Sequence, residues 1–133
     1  MNALELHNKI AKEIDLTVHS PISVSTKIPH YYSLCLSSTY KLVDQLICLE
    51  TEYTQLNGER IKYYLDKADL QIKTRDDRNA VIASEETMRV LNNKIARLNN
   101  SIKLLENGLK LIKQTSDEIK NIGVMKKIDK GLI

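Results

Sequence analysis

A short segment near the middle of the chain places basic side chains beside two adjacent tyrosines. Lys62 directly precedes the pair Tyr63-Tyr64, and Arg60 lies two residues before Lys62. Lys67 follows the pair three residues later. Guanidinium and ammonium groups bind phosphates, and tyrosine rings give unpaired bases a flat face on which to stack. Further basic residues extend the pattern downstream: Lys73, Arg75 and Arg78. These residue types at this spacing predict a site for single-stranded nucleic acid.

The two tyrosines also have a second interpretation. Aromatic residues at helical spacing are more often part of a hydrophobic core than of a ligand site. Under that interpretation Tyr63 and Tyr64 close the end of a helix, and the neighbouring charges are simply solvated. The residue chemistry of this segment leaves both interpretations open.

The other polar residues form no pattern that is typical of an enzyme. His7, His19 and His30 lie early in the chain and have no carboxylate or cysteine at metal-ligand spacing. The four glycines are scattered, so no phosphate-binding loop is predicted. No pair of carboxylates is placed for acid–base catalysis. We therefore predict a protein that is not an enzyme and that uses no metal or cofactor.

The last third of the chain carries the most regular apolar pattern, in alternating steps of three and four residues. It occupies the a and d positions of successive heptads: Met88, Leu91, Ile95, Leu98, Ile102, Leu105, Leu109 and Ile112. One helix cannot bury its own apolar stripe, so we predict coiled-coil-like packing and assign this seam to a homo-oligomer interface. A second apolar face, at Val90, Leu104 and Leu111, predicts an assembly larger than a dimer.

Periodicity and proline predict the elements that position these residues. Residues 2–14 form a short amphipathic helix, and β-branched residues around Pro21 and Pro29 predict an extended segment over 15–29. This segment packs on its own subunit or along a neighbouring one. The rest is divided into a first long helix (30–65), a polar connection (66–83), a second long helix (84–122) capped by Ser84, and a basic tail (123–133). The predicted fold is one all-α domain over 1–133, a long helical hairpin or bundle.

Composition sets further bounds. The chain has 133 residues, enough for one domain, and its aromatic residues are all tyrosine. Cys35 and Cys48 lie about 20 Å apart along one helix, so we predict two buried free thiols and a reducing compartment. No apolar run reaches the roughly 20 residues that span a bilayer, so a soluble intracellular protein is expected. Residues 1–66 carry a net charge of −2 and residues 67–133 one of +5, which weakly suggests an anionic partner.

The order of several short motifs resembles the phage UvsY family, the recombination mediators of T-even-type phages. The matching stretches cover most of the chain: Ile14-Asp15, Ser25 and Pro29, Glu59-Arg60-Ile61-Lys62-Tyr63-Tyr64 with Lys67-Ala68-Asp69, and Ile119-Lys120-Asn121-Ile122 with Lys126. Of the family's DNA-contacting residues, Arg60 maps directly onto this chain. Lys62, Tyr63 and Tyr64 are added because of their adjacency and chemistry.

The resemblance implies a small helical protein without enzymatic activity that forms a ring, a heptamer in the best-known member. It also implies that the protein binds single-stranded DNA. The protein would then help a RecA-like phage recombinase to replace the single-strand-binding protein during homologous recombination and repair. The corresponding location is the cytoplasm of the infected host cell. The alternative is a helical coiled-coil scaffold or adaptor with only protein partners, which the apolar seam supports equally well.

Overall fold

The computed structural model describes residues 1–66 and 74–131, and within them every regular element is an α-helix. The helices are α1 (Ala3–Glu13), α2 (Pro21–Asp66), α3 (Arg75–Ser84) and α4 (Glu86–Asp129). Two long helices and a short N-terminal helix confirm the predicted all-α fold class.

Helix α1 begins where the sequence predicted it. The Asn2 side chain accepts a hydrogen bond from the Glu5 amide at 2.8 Å, and the Glu5 carboxylate accepts one from the Asn2 amide at 3.4 Å. This reciprocal capping box typically stabilises a helix start by about 1 kcal/mol. Leu6 and Ile10, one helical turn apart, are both buried.

The predicted extended segment over 15–29 is wrong. Residues near Asp15 form a turn, in which the Asp15 carboxylate accepts hydrogen bonds from the Thr17 amide at 2.9 Å and hydroxyl at 2.7 Å. Helix α2 then starts at Pro21, with the Ser20 hydroxyl accepting a hydrogen bond from the Ser23 amide at 3.2 Å. Proline is favoured at the first position of a helix because its missing N–H would have no partner there. Pro21 therefore opens a helix instead of bounding a strand-like stretch.

Pro29 lies inside α2, and the helix continues through it. A proline within a helix removes one backbone hydrogen bond and costs about 3 kcal/mol. Val24, Tyr31 and Cys35 follow one another at seven- and four-residue steps and are all buried. The burial of this stripe offsets the cost of the proline. Local residue preferences do not predict this, because the stabilisation comes from tertiary packing.

The polar connection predicted over 66–83 contains helix α3. The Thr74 hydroxyl caps this helix by accepting a hydrogen bond from the Asp77 amide at 3.0 Å. Ser84, predicted to cap the last helix, is instead the final residue of α3, and its hydroxyl donates to the Val81 carbonyl. Glu85 has an extended conformation and separates α3 from α4. Helix α4 continues past the predicted end at 122, so the predicted basic tail is largely helical.

The chain divides into two compact units. Unit 1 comprises Met1–Leu42 and the chain from Ser101 onward, and unit 2 comprises Val43–Asn100. The core of unit 1 combines residues from α1, the first part of α2 and the second part of α4: Leu6, Ile10, Ile14, Val24, Tyr31, Cys35, Leu105 and Ile112. Among the described residues of unit 2, the buried apolar side chains are those of Ile82, Met88 and Leu91.

The apolar seam of α4 is largely buried within the single chain. In unit 1, Ile102, Leu105 and Ile112 are buried and Leu109 is half-buried. In unit 2, Met88 and Leu91 are buried, whereas Ile95 and Leu98 are half-buried. Packing inside one chain is therefore sufficient to explain most of the heptad pattern, and the assignment of the seam to an interface between copies stays a prediction.

The two cysteines lie in different environments. Cys35 is a buried free thiol, and its Sγ donates a hydrogen bond to the Leu105 carbonyl oxygen at 3.1 Å. Burial raises the pKa of the Cys35 thiol. Cys48 is also a free thiol but is exposed, so the prediction that both are buried is wrong for Cys48. Nearby Tyr40 and Ile47 are exposed as well, so the described part of the chain leaves these three side chains of α2 uncovered.

Candidate nucleic-acid interface

The predicted site centres on one face of α2 in unit 2. Arg60, Tyr63 and Tyr64 share this face because residues three and four apart are neighbours on a helix. The Arg60 guanidinium carbon lies 4.4 Å from the centroid of the Tyr63 ring and 5.2 Å from that of Tyr64. The two rings meet edge to face, with centroids 5.1 Å apart. Cation–π contacts of this kind contribute roughly 0.5–1 kcal/mol at exposed sites.

Arg60 also forms an ion pair with Glu85, the residue between α3 and α4. The Arg60 Nε lies 3.0 Å from Glu85 Oε1 and 2.9 Å from Oε2, and an Nη2 donor lies 3.5 Å from the Tyr64 hydroxyl. The Glu85 carboxylate, followed by the Tyr64 hydroxyl, raises the pKa of Arg60. The two side chains are 29% and 27% exposed, so the pair is only partly desolvated. Ion pairs with this degree of exposure contribute about 1 kcal/mol or less to the free energy of unfolding.

The geometry leaves Arg60 able to hold an anion. A guanidinium carries five N–H donors, and Glu85 and Tyr64 use only some of them. A phosphate can therefore bind beside Glu85 or displace it. The competing carboxylate makes Arg60 a weaker phosphate ligand than an unpaired arginine would be.

The exposure of the tyrosines bears on the alternative that both are core residues. Tyr63 is 43% exposed, so it does not belong to the core. Tyr64 is half-buried, with its hydroxyl turned toward Arg60. Tyr63 is thus the ring of the pair that a base can reach more easily.

The other predicted residues are distributed less compactly. Lys62 is exposed on α2 but points away from Arg60, since residues two apart do not share a helix face. Arg75 is exposed in the first turn of α3. Arg78 is half-buried, and its Nε has no hydrogen-bond acceptor among the described residues. Lys67 and Lys73 lie outside the described residues.

Sequence reasoning missed two features. One is Glu85, because no local signal connects it with Arg60, 25 positions away. In unit 1, Tyr32 and three lysines of α4 line one groove: Lys110, Lys113 and Lys120. The lysine spacing was visible in the sequence, but their approach to Tyr32 depends on how α2 and α4 pack in that unit.

Two other features are absent from the described residues. None of the helices there is both long and apolar enough for a membrane span. Nor do three or more His, Cys, Asp or Glu side chains of that part of the chain cluster in a way that could hold a metal ion.

The fold and site together define a class, namely all-α proteins built on long helices that carry a cluster of arginine and tyrosine at one helix end. Within that class the chain belongs to the UvsY family. Residues 10–132 match the sequence model of this family, which is described as the recombination, repair and ssDNA binding protein UvsY. The match covers nearly the whole chain and confirms the family that the motif order indicated. No curated protein and no solved structure matches the chain.

Proposed function

We propose that this protein is a phage recombination mediator that binds single-stranded DNA. In that role it helps a RecA-like recombinase to replace the single-strand-binding protein during homologous recombination and repair. The observation that carries the proposal is the family match over residues 10–132. The cluster of Arg60, Tyr63 and Tyr64 supports it, because it combines a phosphate-binding cation with exposed aromatic surface.

The roles of the side chains follow from their positions. Arg60 binds a phosphate, and Tyr63 stacks against a base beside it. Arg78 supplies a second guanidinium in unit 2, while Lys62 and Arg75 add exposed positive charge. Lys67 and Lys73 extend this charge along the chain. None of these steps requires a bond to be broken, so the proposed mediator works by binding and ordering DNA and not by catalysis.

A ring of identical subunits would strengthen this modest site. Linked sites raise overall affinity by roughly 10²–10⁴ when several can engage one ligand. We therefore propose a homo-oligomer, by resemblance a heptamer, in the cytoplasm of the infected host cell. Ile95 and Leu98 are the half-buried seam residues of unit 2, and their exposed surface is available to a second copy.

The direct test compares the wild type with the Arg60→Ala/Lys62→Ala double variant. Binding of a fluorescent oligo(dT) is measured by anisotropy over a range of salt concentrations. Each lost phosphate contact should reduce the slope of log affinity against log salt by about 0.7. We expect the double variant to bind more weakly, with a slope smaller by about 1.4 if both contacts are made.

Assembly and thermal stability of the double variant are the controls, because Arg60 also pairs with Glu85. A folded and assembled double variant with wild-type affinity and salt slope would rule out this binding path. The alternative, a coiled-coil scaffold with only protein partners, requires that the wild type itself shows no salt-dependent DNA binding.

A further inference from the structure

Unit 1 contains a groove that is separate from the Arg60 cluster. It lies between the early part of α2 and the second half of α4 and has a volume of about 520 Å³. Its apolar side chains are Ile28, Leu109 and Ile112, and its polar side chains are Tyr32, Lys110, Lys113, Ser116, Asp117 and Lys120. An apolar floor bordered by cations makes this groove different from an ordinary solvated helix face.

The charge of the groove is positive and largely uncompensated. Three lysines line it against one carboxylate, that of Asp117. Within residues 1–66 and 74–131, none of these four side chains takes part in a salt bridge. The ammonium groups are therefore available to an external anion, with no competing carboxylate paired to them as Glu85 is to Arg60.

The lysines form a row along α4. Lys110 and Lys113 are about one turn apart, and Lys120 lies about two turns further on, so the row extends about 15 Å at helical rise. A single small anion cannot contact all three lysines at this spacing. A polymer with regularly spaced phosphates can do so.

Tyr32 supplies the second element of the groove. Its side chain is 49% exposed, although it is an immediate neighbour of the buried Tyr31. An exposed aromatic ring beside a row of cations is the combination with which proteins bind single strands, since the ring stacks on a base and the cations neutralise the backbone. An acidic peptide could use the cations but has less use for an exposed ring.

We propose that this groove is a second contact surface for single-stranded DNA, in which Tyr32 stacks on a base and Lys110, Lys113 and Lys120 bind the flanking phosphates. The proposal rests on the proposed function and adds to it a binding region in unit 1. Each subunit then contacts the strand in both of its units.

A footprint on the wild-type protein tests the proposal without any substitution. Exposed lysines are acetylated with and without saturating oligo(dT), and the modified residues are quantified by mass spectrometry. We expect Lys110, Lys113 and Lys120 to be protected several-fold by the oligonucleotide. Lys9, Lys12 and Lys103 are exposed lysines of the same unit outside the groove and should remain reactive.

Substitutions give a second, quantitative readout. In the Lys110→Gln/Lys113→Gln/Lys120→Gln variant, the slope of log affinity against log salt should be smaller by up to about 2. The variant should also bind oligo(dT) about 10- to 100-fold more weakly at 0.1 M salt. The matched control is Lys9→Gln/Lys12→Gln/Lys103→Gln, which removes the same charge and should retain near wild-type binding. Tyr32→Leu should weaken binding at least about fivefold, whereas Tyr32→Phe keeps the ring and should bind normally.

The outcomes separate this proposal from the proposed function. If oligo(dT) binds through Arg60 but leaves the groove lysines reactive, the groove proposal is wrong and the proposed function stands. If an acidic peptide protects these lysines and oligo(dT) does not, the groove binds a protein partner instead. If the wild type binds no oligo(dT), both proposals fail. Equal weakening in the groove variant and its matched control would show only a net-charge effect and would also overturn the groove proposal.

Discussion

At the scale of single residues, the ion pair of Arg60 with Glu85 and the proposed phosphate contact of Arg60 oppose each other. The ion pair holds the guanidinium close to both tyrosine rings, and in the proposed function the same carboxylate competes with a phosphate for that guanidinium. An arginine held in one conformation loses less side-chain entropy on binding than a free one. Under the proposed function, the pair therefore positions Arg60 and lowers its affinity for phosphate.

This competition leads to a prediction for Glu85→Gln. The substitution removes the negative charge but keeps a side chain of similar size, so Arg60 should bind phosphate without electrostatic competition. We expect affinity for oligo(dT) to be equal to or greater than that of the wild type, and thermal stability to fall slightly. Anisotropy titrations of Glu85→Gln and Arg60→Ala, two variants that break the same ion pair, provide the comparison. Equal loss of affinity in both would mean that the pair matters only for folding.

The two cysteines should differ in reactivity. Cys48 is exposed, whereas Cys35 is buried. Burial raises the pKa of the Cys35 thiol, so Cys35 stays protonated and is less reactive than a thiolate. Treatment of the native protein with iodoacetamide near pH 8 should label Cys48 quickly and Cys35 only after denaturation. Peptide mass spectrometry over time measures both. Comparable labelling rates for the two in the native protein would contradict the buried position of Cys35.

The site was predictable from the sequence where its geometry is local. The spacing of Arg60, Tyr63 and Tyr64 places them on one helix face, and the structure brings them into contact. The Glu85 carboxylate and the approach of Tyr32 to the α4 lysines were not predictable, because both result from packing between segments distant in the sequence.

At the scale of helices, the largest error concerned residues 21–29, and its cause was the interpretation of proline. The sequence pattern predicts that both prolines bound an extended stretch. One of them occupies the first position of α2, where proline is favourable, and the other is tolerated in the helix because its neighbours bury a continuous stripe. Strong periodic signals, as in α4, located the helices well. The weaker preference of the β-branched residues in 15–29 for extended conformation was overridden by packing.

The two prolines allow a matched stability test. Pro29→Ala should restore a backbone donor and remove the ring from the preceding turn, raising the free energy of unfolding by up to about 3 kcal/mol. Pro21→Ala should change it by only a few tenths of a kcal/mol, or lower it slightly, because proline costs nothing at that position. Urea denaturation followed by circular dichroism measures both. A Pro29→Ala variant no more stable than the wild type would show that α2 is not strained at Pro29.

At the scale of the whole molecule, two residues of the α4 seam separate its role in folding from its proposed role in assembly. Leu105 is 1% exposed in the core of unit 1, and Leu98 is half-buried in unit 2. A buried uncompensated carboxylate is strongly destabilising, by several kcal/mol. Leu105→Asp should therefore unfold or severely destabilise the protein, whereas Leu98→Asp should remain folded and shift the particle to lower mass.

Sedimentation velocity and circular dichroism together distinguish the two effects. Leu98→Asp protein that is folded and still sediments as the wild-type assembly would exclude this part of the seam from the interface. Leu105→Asp protein with wild-type stability would contradict its place in the core.

The division of the chain into units has a consequence for its synthesis. Unit 2 is continuous in sequence, but unit 1 is completed only when the chain from Ser101 onward joins the first 42 residues. His7 contacts the carbonyl of Leu104, and Cys35 donates to that of Leu105, across separations of 97 and 70 residues. During translation, Leu6 and Ile10 therefore lack Leu105 and Ile112, the core partners supplied by α4, until most of the chain has been synthesised. A message truncated before Leu105 would yield a product whose N-terminal helix lacks the part of its core that α4 supplies, and the exposed apolar surface would make it a substrate for chaperones and proteases.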